Sequence, residues 1–320
     1  MSQTESSAPR TDGVLIVGSI TADLTTFSQR LPSRGETILG DDFTLVLGGK
    51  GANQAIAVAL AGSPAYMVSC VGTDLFAPLL TGGLQNAGVD IDHVSRVPGP
   101  SGIAHIRVDD SGENDIVMVP LANASLSEAQ IDSAFLDRAP LSKVLLTQLE
   151  IPWALTQHAI RKAHEVGLTV ILDPAPATEL DDAIWPLVDI VTPNETEASR
   201  LTGIVVTDAA SAASAGRWFT ARGAGYALIT MASAGAILVS ETSVRHFPSI
   251  PVVAVDTTAA GDAFAGYLGA ALARDADLAS AISQAMAAGA LTVTQRGASP
   301  SLPQRAAVED LLHSQKATIS

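Results

Sequence analysis

From about residue 140 the chain alternates short apolar runs with longer amphipathic stretches. Strand patterns fit Lys143 to Leu149, Thr169 to Leu172, Asp189 to Thr192 and Tyr226 to Thr230. Helical patterns fit Trp153 to Glu165, Glu195 to Thr202 and Asp208 to Arg222. Strands separated by helices run parallel, and a parallel sheet buries both faces. The rhythm therefore predicts a three-layer α/β/α domain. The first third carries it too, with strands at Val14 to Gly18 and Ala65 to Val71 and helices at Ala52 to Ala61 and Leu75 to Ala87. Late strands are expected at Ala236 to Ser240, Val244 to Phe247 and a run ending Val253-Ala254-Val255, with helices after Ala259.

Two stretches break the rhythm. Residues 24–47 and 90–120 alternate with period two and are rich in turns, including a hairpin pattern with its turn at Asp109 to Gly112. They read as insertions forming a small β-sheet lid over the carboxyl ends of the parallel strands, where a ligand cleft sits. The expected organisation is a loose tail at 1–12 and one domain over 13–320.

Hydrophobic residues make up 47% of the 320, enough for a large core. Net charge is 18 − 33 = −15, which argues against nucleic acid and anionic membrane as partners. The tail lacks an apolar stretch of signal-peptide type, and the run Ala55 to Ala61 is too short to span a bilayer, so the cytoplasm is the expected compartment. The one cysteine, Cys70, reads as a buried strand residue.

Three segments could carry chemistry. In Asp256-Thr257-Thr258-Ala259-Ala260-Gly261-Asp262 a turn of small residues opens a helix, so free amides and the helix dipole favour an anion, and Asp262 could take a proton from a hydroxyl. Gly48-Gly49-Lys50-Gly51-Ala52-Asn53-Gln54 lets backbone approach a ligand, but Gly51 follows Lys50, so it is not a Walker loop. In Thr192-Pro193-Asn194-Glu195-Thr196-Glu197, Asn194 and Glu197 could serve Mg²⁺ directly or through water. Each segment also has a structural reading: an N-cap at Asp256 or Thr257, a helix-entry turn, and an Asn194–Glu197 capping box. The chain has no Gly-x-Gly-x-x-Gly after its first strand, no His pair at metal spacing and no Gly-x-Ser-x-Gly elbow.

Together and in this order, the three segments resemble the ribokinase branch of the PfkB carbohydrate kinases. The likeness runs from Gly18-Ser19-Ile20 to Gly297-Ala298-Ser299-Pro300-Ser301. It implies a ribokinase-like fold and an ATP-dependent kinase acting on the primary hydroxyl of a pentose, D-ribose first. It implies Asp262 as general base, with amides of Ala259, Ala260 and Gly261 as anion hole. It further implies Thr21, Asp23, Gly49, Lys50, Asn53, Glu150 and Asp262 at the sugar, and Asn194, Thr230, Ser233, Gly235, Gly261 and Met286 at ATP. Asn194 and Glu197 would act indirectly on Mg²⁺. Asp256, Thr258, Thr292, Gln295, Gly297 and Ser301 match the positions that hold a monovalent cation, usually K⁺. A homodimer through the lid is the implied assembly.

Three departures from the family pattern bear on specificity. Thr21 stands where ribose kinases typically carry Asn, which opens the site to 2-deoxyribose or another pentose. Thr230 to Gly235 lacks the usual second glycine and basic residue, and Met286 replaces a His or Asn at the adenine. The lid segments offer only Phe27 and Phe43 to hold a base, which favours a free pentose over a nucleoside. A non-catalytic sugar sensor on the same fold is the rival from another functional class.

Overall fold

The computed structural model describes residues 12–111 and 114–319. The expected tail, apart from Asp12, lies outside the described residues, as does Gly112 of the expected turn. Strands β1 (Gly13–Val17), β4 (Ala65–Val71), β5 (Asp90–Arg96), β8 (Ser142–Thr147), β9 (Thr169–Leu172), β10 (Ile190–Val191), β11 (Tyr226–Thr230), β12 (Ala236–Val239) and β13 (Val244–Phe247) form one sheet. Their order is β13-β12-β11-β10-β9-β8-β1-β4-β5, parallel except for the antiparallel edge made by β12 and β13. A second sheet, in the order β3-β2-β6-β7, comprises β2 (Thr21–Ser28), β3 (Asp42–Gly48), β6 (Gly102–Asp109) and β7 (Asn114–Val119).

Period-two alternation divides the strand residues between two cores. Val14 and Ile16 of β1 join a cluster with helices α1 (Lys50–Leu60), α7 (Ala260–Ala273) and α8 (Leu278–Thr292). Leu15 and Val17 face the opposite cluster with α3 (Glu128–Arg138), α4 (Trp153–Glu165) and α6 (Ala209–Thr220). Each fully buried Leu, Ile or Val here contributes about 1.5–3 kcal/mol relative to exposure. Small residues let α1 and α7 pack closely. A Cβ on Gly266 would stand 2.5 Å from Ala57 Cβ and 2.8 Å from the Gln54 carbonyl, so only glycine admits this approach. That contact brings the amino-terminal turns of the two helices side by side.

Two expectations need correction. Residues 90–96 are not part of the small sheet: β5 pairs in parallel with β4 at the edge of the large one. Ile91 and Val94, three residues apart, both pack on the core because the pairing with β4 shifts register between Asp90 and His93. The run ending at Val255 is not a strand either. Val253 is 83% exposed, and the amides of Val255 and Asp256 both donate to the Val293 carbonyl instead of to a neighbouring strand. Helix α3 was not expected, although Ser127 and Gln130 close a full capping box at its start.

Candidate active site

The predicted residues collect at the carboxyl ends of the parallel strands. β1 leads to Ser19, β8 to Gln148 and Glu150, β9 to Asp173, β10 to Asn194, and β11 ends at Thr230. From β1 the chain proceeds outward to β4 and β5, and from β8 outward the other way to β9, β10 and β11, so the strand order reverses between β1 and β8. Open α/β sheets bind ligands in the crevice outside such a point.

On one side of the crevice is the turn between β3 and α1. Gly49 has φ 89°, and a Cβ there would meet the Thr21 amide nitrogen at 2.9 Å. The tight turn aims the Lys50 amide at Glu150 Oε2, 2.8 Å away, and Ser19 Oγ donates to the same oxygen. Asp23, on β2, is 7% exposed and accepts from Thr21 Oγ1 at 2.7 Å. Burial pushes its carboxyl up to about 7; the Thr21 bond opposes the rise, and Glu150 and Asp262 add to it. Burial likewise raises the Glu150 carboxyl, against the pull of Lys50.

Asp262 lies in the first turn of α7, 5% exposed. Asn53 Nδ2 donates to its Oδ2 at 3.0 Å, and Gln54 Nε2 donates to its Oδ1 at 3.1 Å. Lys50 Nζ is 3.8 Å from Asp262 Oδ1 and 3.4 Å from Asp173 Oδ2. Burial works against the Lys50 charge, but Asp173, Asp262, Glu150 and Glu197 outweigh it and hold the ammonium protonated well above its usual range. Burial lifts the Asp173 carboxyl to about 7, with Lys50 opposing and Glu197 and Asp262 reinforcing.

A cavity of about 210 Å³ opens beside this cluster, lined by Lys50, Asp173, Asn194, Glu197, Thr230, Gly261 and Asp262 among others. Its floor includes the amino end of α7, where Ala259 takes a left-handed conformation, φ 60°. The amides of Gly261 and Asp262 make no backbone hydrogen bond. The Ala260 amide differs from the expected anion hole in that it turns back to the Thr257 carbonyl at 3.3 Å. Asn194 and Glu197 form the reciprocal capping box of α5 (Glu195–Thr202), both bonds 2.9 Å, and still line the cavity. Cap and site are thus the same residues.

Ser233, Gly235 and Met286 do not line this cavity. Ser233 is exposed on the turn between β11 and β12, Gly235 (φ 94°) closes that turn, and Met286 packs half-buried on the core from α8. Among the described residues no group of three or more His, Cys, Asp or Glu side chains could hold a metal. The Asp256 carboxylate gathers the expected cation loop. It accepts from the Thr258 amide at 2.9 Å, from Thr258 Oγ1 at 2.6 Å and from the Gly297 amide at 2.8 Å. Burial would raise its pKa, but these donors outweigh that and lower it. Gln295 donates its amide to the Thr292 carbonyl, while the Thr292 and Ser301 hydroxyls are spent on the Ala288 and Ala298 carbonyls.

Sequence reasoning did not single out Gln54, Gln148 or Asp173. Asp173 carried a signal, a carboxylate directly after a buried strand of the parallel set. Gln54 lay inside the quoted glycine segment without a role.

The sequence profile of the pfkB family carbohydrate kinases matches residues 11–305. A ribokinase of Haemophilus influenzae is 38% identical over 291 residues, covering 91% of this chain and 95% of that protein. A deoxyribokinase of Salmonella typhi is 35% identical over 292 residues, with the same shares of each chain. The solved structure of Arabidopsis thaliana ribokinase complexed with ribose and ATP superposes with a TM-score of 0.86 at 31% identity, covering 96% of this chain and 99% of that one. Among the described residues no helix is long and apolar enough to cross a membrane. The family profile spans most of the chain, and the relatives match it nearly end to end: this chain belongs to the pfkB family of carbohydrate kinases.

Proposed function

We propose that this kinase transfers the γ-phosphoryl group of ATP to the primary hydroxyl of a free pentose, D-ribose giving D-ribose 5-phosphate. The observation that carries the reading is Asp262, buried at the amino end of α7, held by Asn53 and Gln54 and lining the cavity of Asn194 and Thr230. In this reading Asp23, Lys50, Asn53 and Glu150, with Thr21 and Gly49, receive the sugar. Buried carboxyls near neutrality, such as Asp23, can accept from sugar hydroxyls or donate to them. Asp262 takes the proton of the hydroxyl, the sugar oxygen bonds to the γ-phosphorus, and the bond from phosphorus to the bridging oxygen breaks to release ADP.

Charge on the transferring group falls at the helix terminus, where the Gly261 and Asp262 amides are free, and beside the Lys50 ammonium. Ala259 and Ala260 shape that turn. Asn194, Thr230, Ser233, Gly235, Gly261 and Met286 are assigned to the nucleotide. The oxygen donors Asn194 and Glu197, facing the cavity and tied to each other, suit a hydrated Mg²⁺ carried on the nucleotide, which neutralises phosphate charge. The charged Asp256 and its loop with Thr258, Thr292, Gln295, Gly297 and Ser301 suit K⁺. The small sheet is assigned as the lid.

A second substrate, 2-deoxyribose, is favoured by one contact. Thr21 spends its hydroxyl proton on Asp23, so it has less to offer the sugar than a carboxamide would. The deciding experiment is an ADP-release assay over pentoses with wild type and Asp262→Asn. Turnover in the variant falls at least about 10³-fold while sugar affinity persists. Near-normal turnover in Asp262→Asn excludes the base, and no sugar-dependent ADP release by wild type favours a sensor.

A further inference from the structure

Gln54 is fully buried on α1 and stands between two carboxylates. Its Nε2 donates to Asp173 Oδ2 at 2.8 Å and to Asp262 Oδ1 at 3.1 Å. Its Oε1 accepts from Nε2 of Gln148, also fully buried, just beyond the end of β8. Gln54 thus turns its NH₂ towards both carboxyl groups and its oxygen towards Gln148. Gln148 must then donate, which leaves its own Oε1 buried without a partner. An orphaned buried oxygen is unfavourable, and here it follows from orienting the far end of the chain.

Lys50 also approaches both carboxylates, but at 3.4 and 3.8 Å its contacts are looser than those of Gln54. An incoming phosphate competes for that ammonium. Once Lys50 turns to it, Gln54 is the remaining side-chain donor on Asp262 Oδ1 among the described residues. Asn53 holds the other oxygen, so the two adjacent amides of α1 fix the plane of the carboxylate. The close approach at Gly266 places both amides within reach.

We propose that Gln54, oriented by Gln148, is the positioning residue for Asp262, sharing its N–H groups between Asp262 and Asp173 so that the two carboxylates stay apart and Asp262 stays aligned. This deepens the reading of Asp262 as the base and rests on it. The test compares wild type, Gln54→Leu, Gln148→Leu and Asp262→Asn by steady-state kinetics, sugar binding by calorimetry, and thermal melting. The sugar is whichever of ribose and 2-deoxyribose wild type turns over faster. In Gln54→Leu, kcat falls about 10- to 100-fold with KM for the sugar within about twofold, the loss of a hydrogen bond to a charged group. Gln148→Leu, which touches neither carboxylate, lowers kcat in the same sense by about 3- to 10-fold. An unchanged kcat in Gln54→Leu, or a fall matched by weakened sugar binding, overturns the proposal. If Gln54→Leu does not fold, an unchanged kcat in Gln148→Leu overturns it instead. Near-normal turnover in Asp262→Asn removes the base itself, whereas an inactive Asp262→Asn beside a fully active Gln54→Leu removes only the role of Gln54.

Discussion

Replacing Asp23 by asparagine should stabilise the sugar-free protein at alkaline pH while removing its grip on the sugar. Asp23 is 7% exposed, and among the described residues its side chain accepts from one donor, Thr21 Oγ1. Burial lifts its pKa from 3.8 to about 7, with Glu150 and Asp262 adding to the rise. A carboxyl whose folded pKa is raised contributes stability that is fully present below about pH 4 and is lost as pH rises through about 7. Above that the folded state carries an unfavourable buried charge. At about 1.4 kcal/mol per pH unit, the gap from 3.8 to about 7 corresponds to about 4 kcal/mol. Local relaxation and water entry reduce this to about 2–4 kcal/mol. Asparagine keeps the shape and can still accept from Thr21, but never ionises. Thermal melts of wild type and Asp23→Asn should therefore diverge at pH 8, the variant melting about 3–8 °C higher, with a smaller gap at pH 5 and convergence near pH 4. Sugar KM should rise at least about tenfold, since a charged acceptor is lost. A gap that is equal at pH 5 and pH 8, or a variant less stable than wild type at pH 8, would refute the reasoning.

Two further outcomes follow from neighbouring contacts. Thr21→Asn frees a carboxamide for the sugar, so the ratio of kcat/KM for ribose over 2-deoxyribose should rise about tenfold; an unchanged ratio removes Thr21 from specificity. Exchanging K⁺ for Na⁺ at fixed ionic strength should lower kcat several-fold, because the Asp256 loop braces Thr258 at the entry to α7. Equal rates in both salts count against a cation there.

Much of the domain was legible because strand and helix periods differ and a two-sided parallel sheet demands long apolar runs. β1, β4, β9 and β11 are nearly where their apolar runs end. β5 was not legible: periodicity does not say which sheet a strand joins. The Val253 run failed because β-branched residues favour strands when they pair with a neighbouring strand, and here the Val255 amide goes to the Val293 carbonyl instead. The missed helix α3 carried its signal in Ser127-x-x-Gln130, which the turn-rich stretch before it obscured.

The sequence by itself determined which chemical groups are available and where each sits along an element: Asp262 at a helix start, Asn194 at a cap, Lys50 after two glycines. Those are local properties, set by backbone conformation within a few residues. What only the tertiary structure decided is the pairing across the chain. Gln54 meets Asp262 over 208 positions and Asp173 over 119, and Asp23 is shifted by carboxylates remote in sequence. Those meetings depend on strand order and on the close approach of α1 and α7 at Gly266, and no window of residues encodes either.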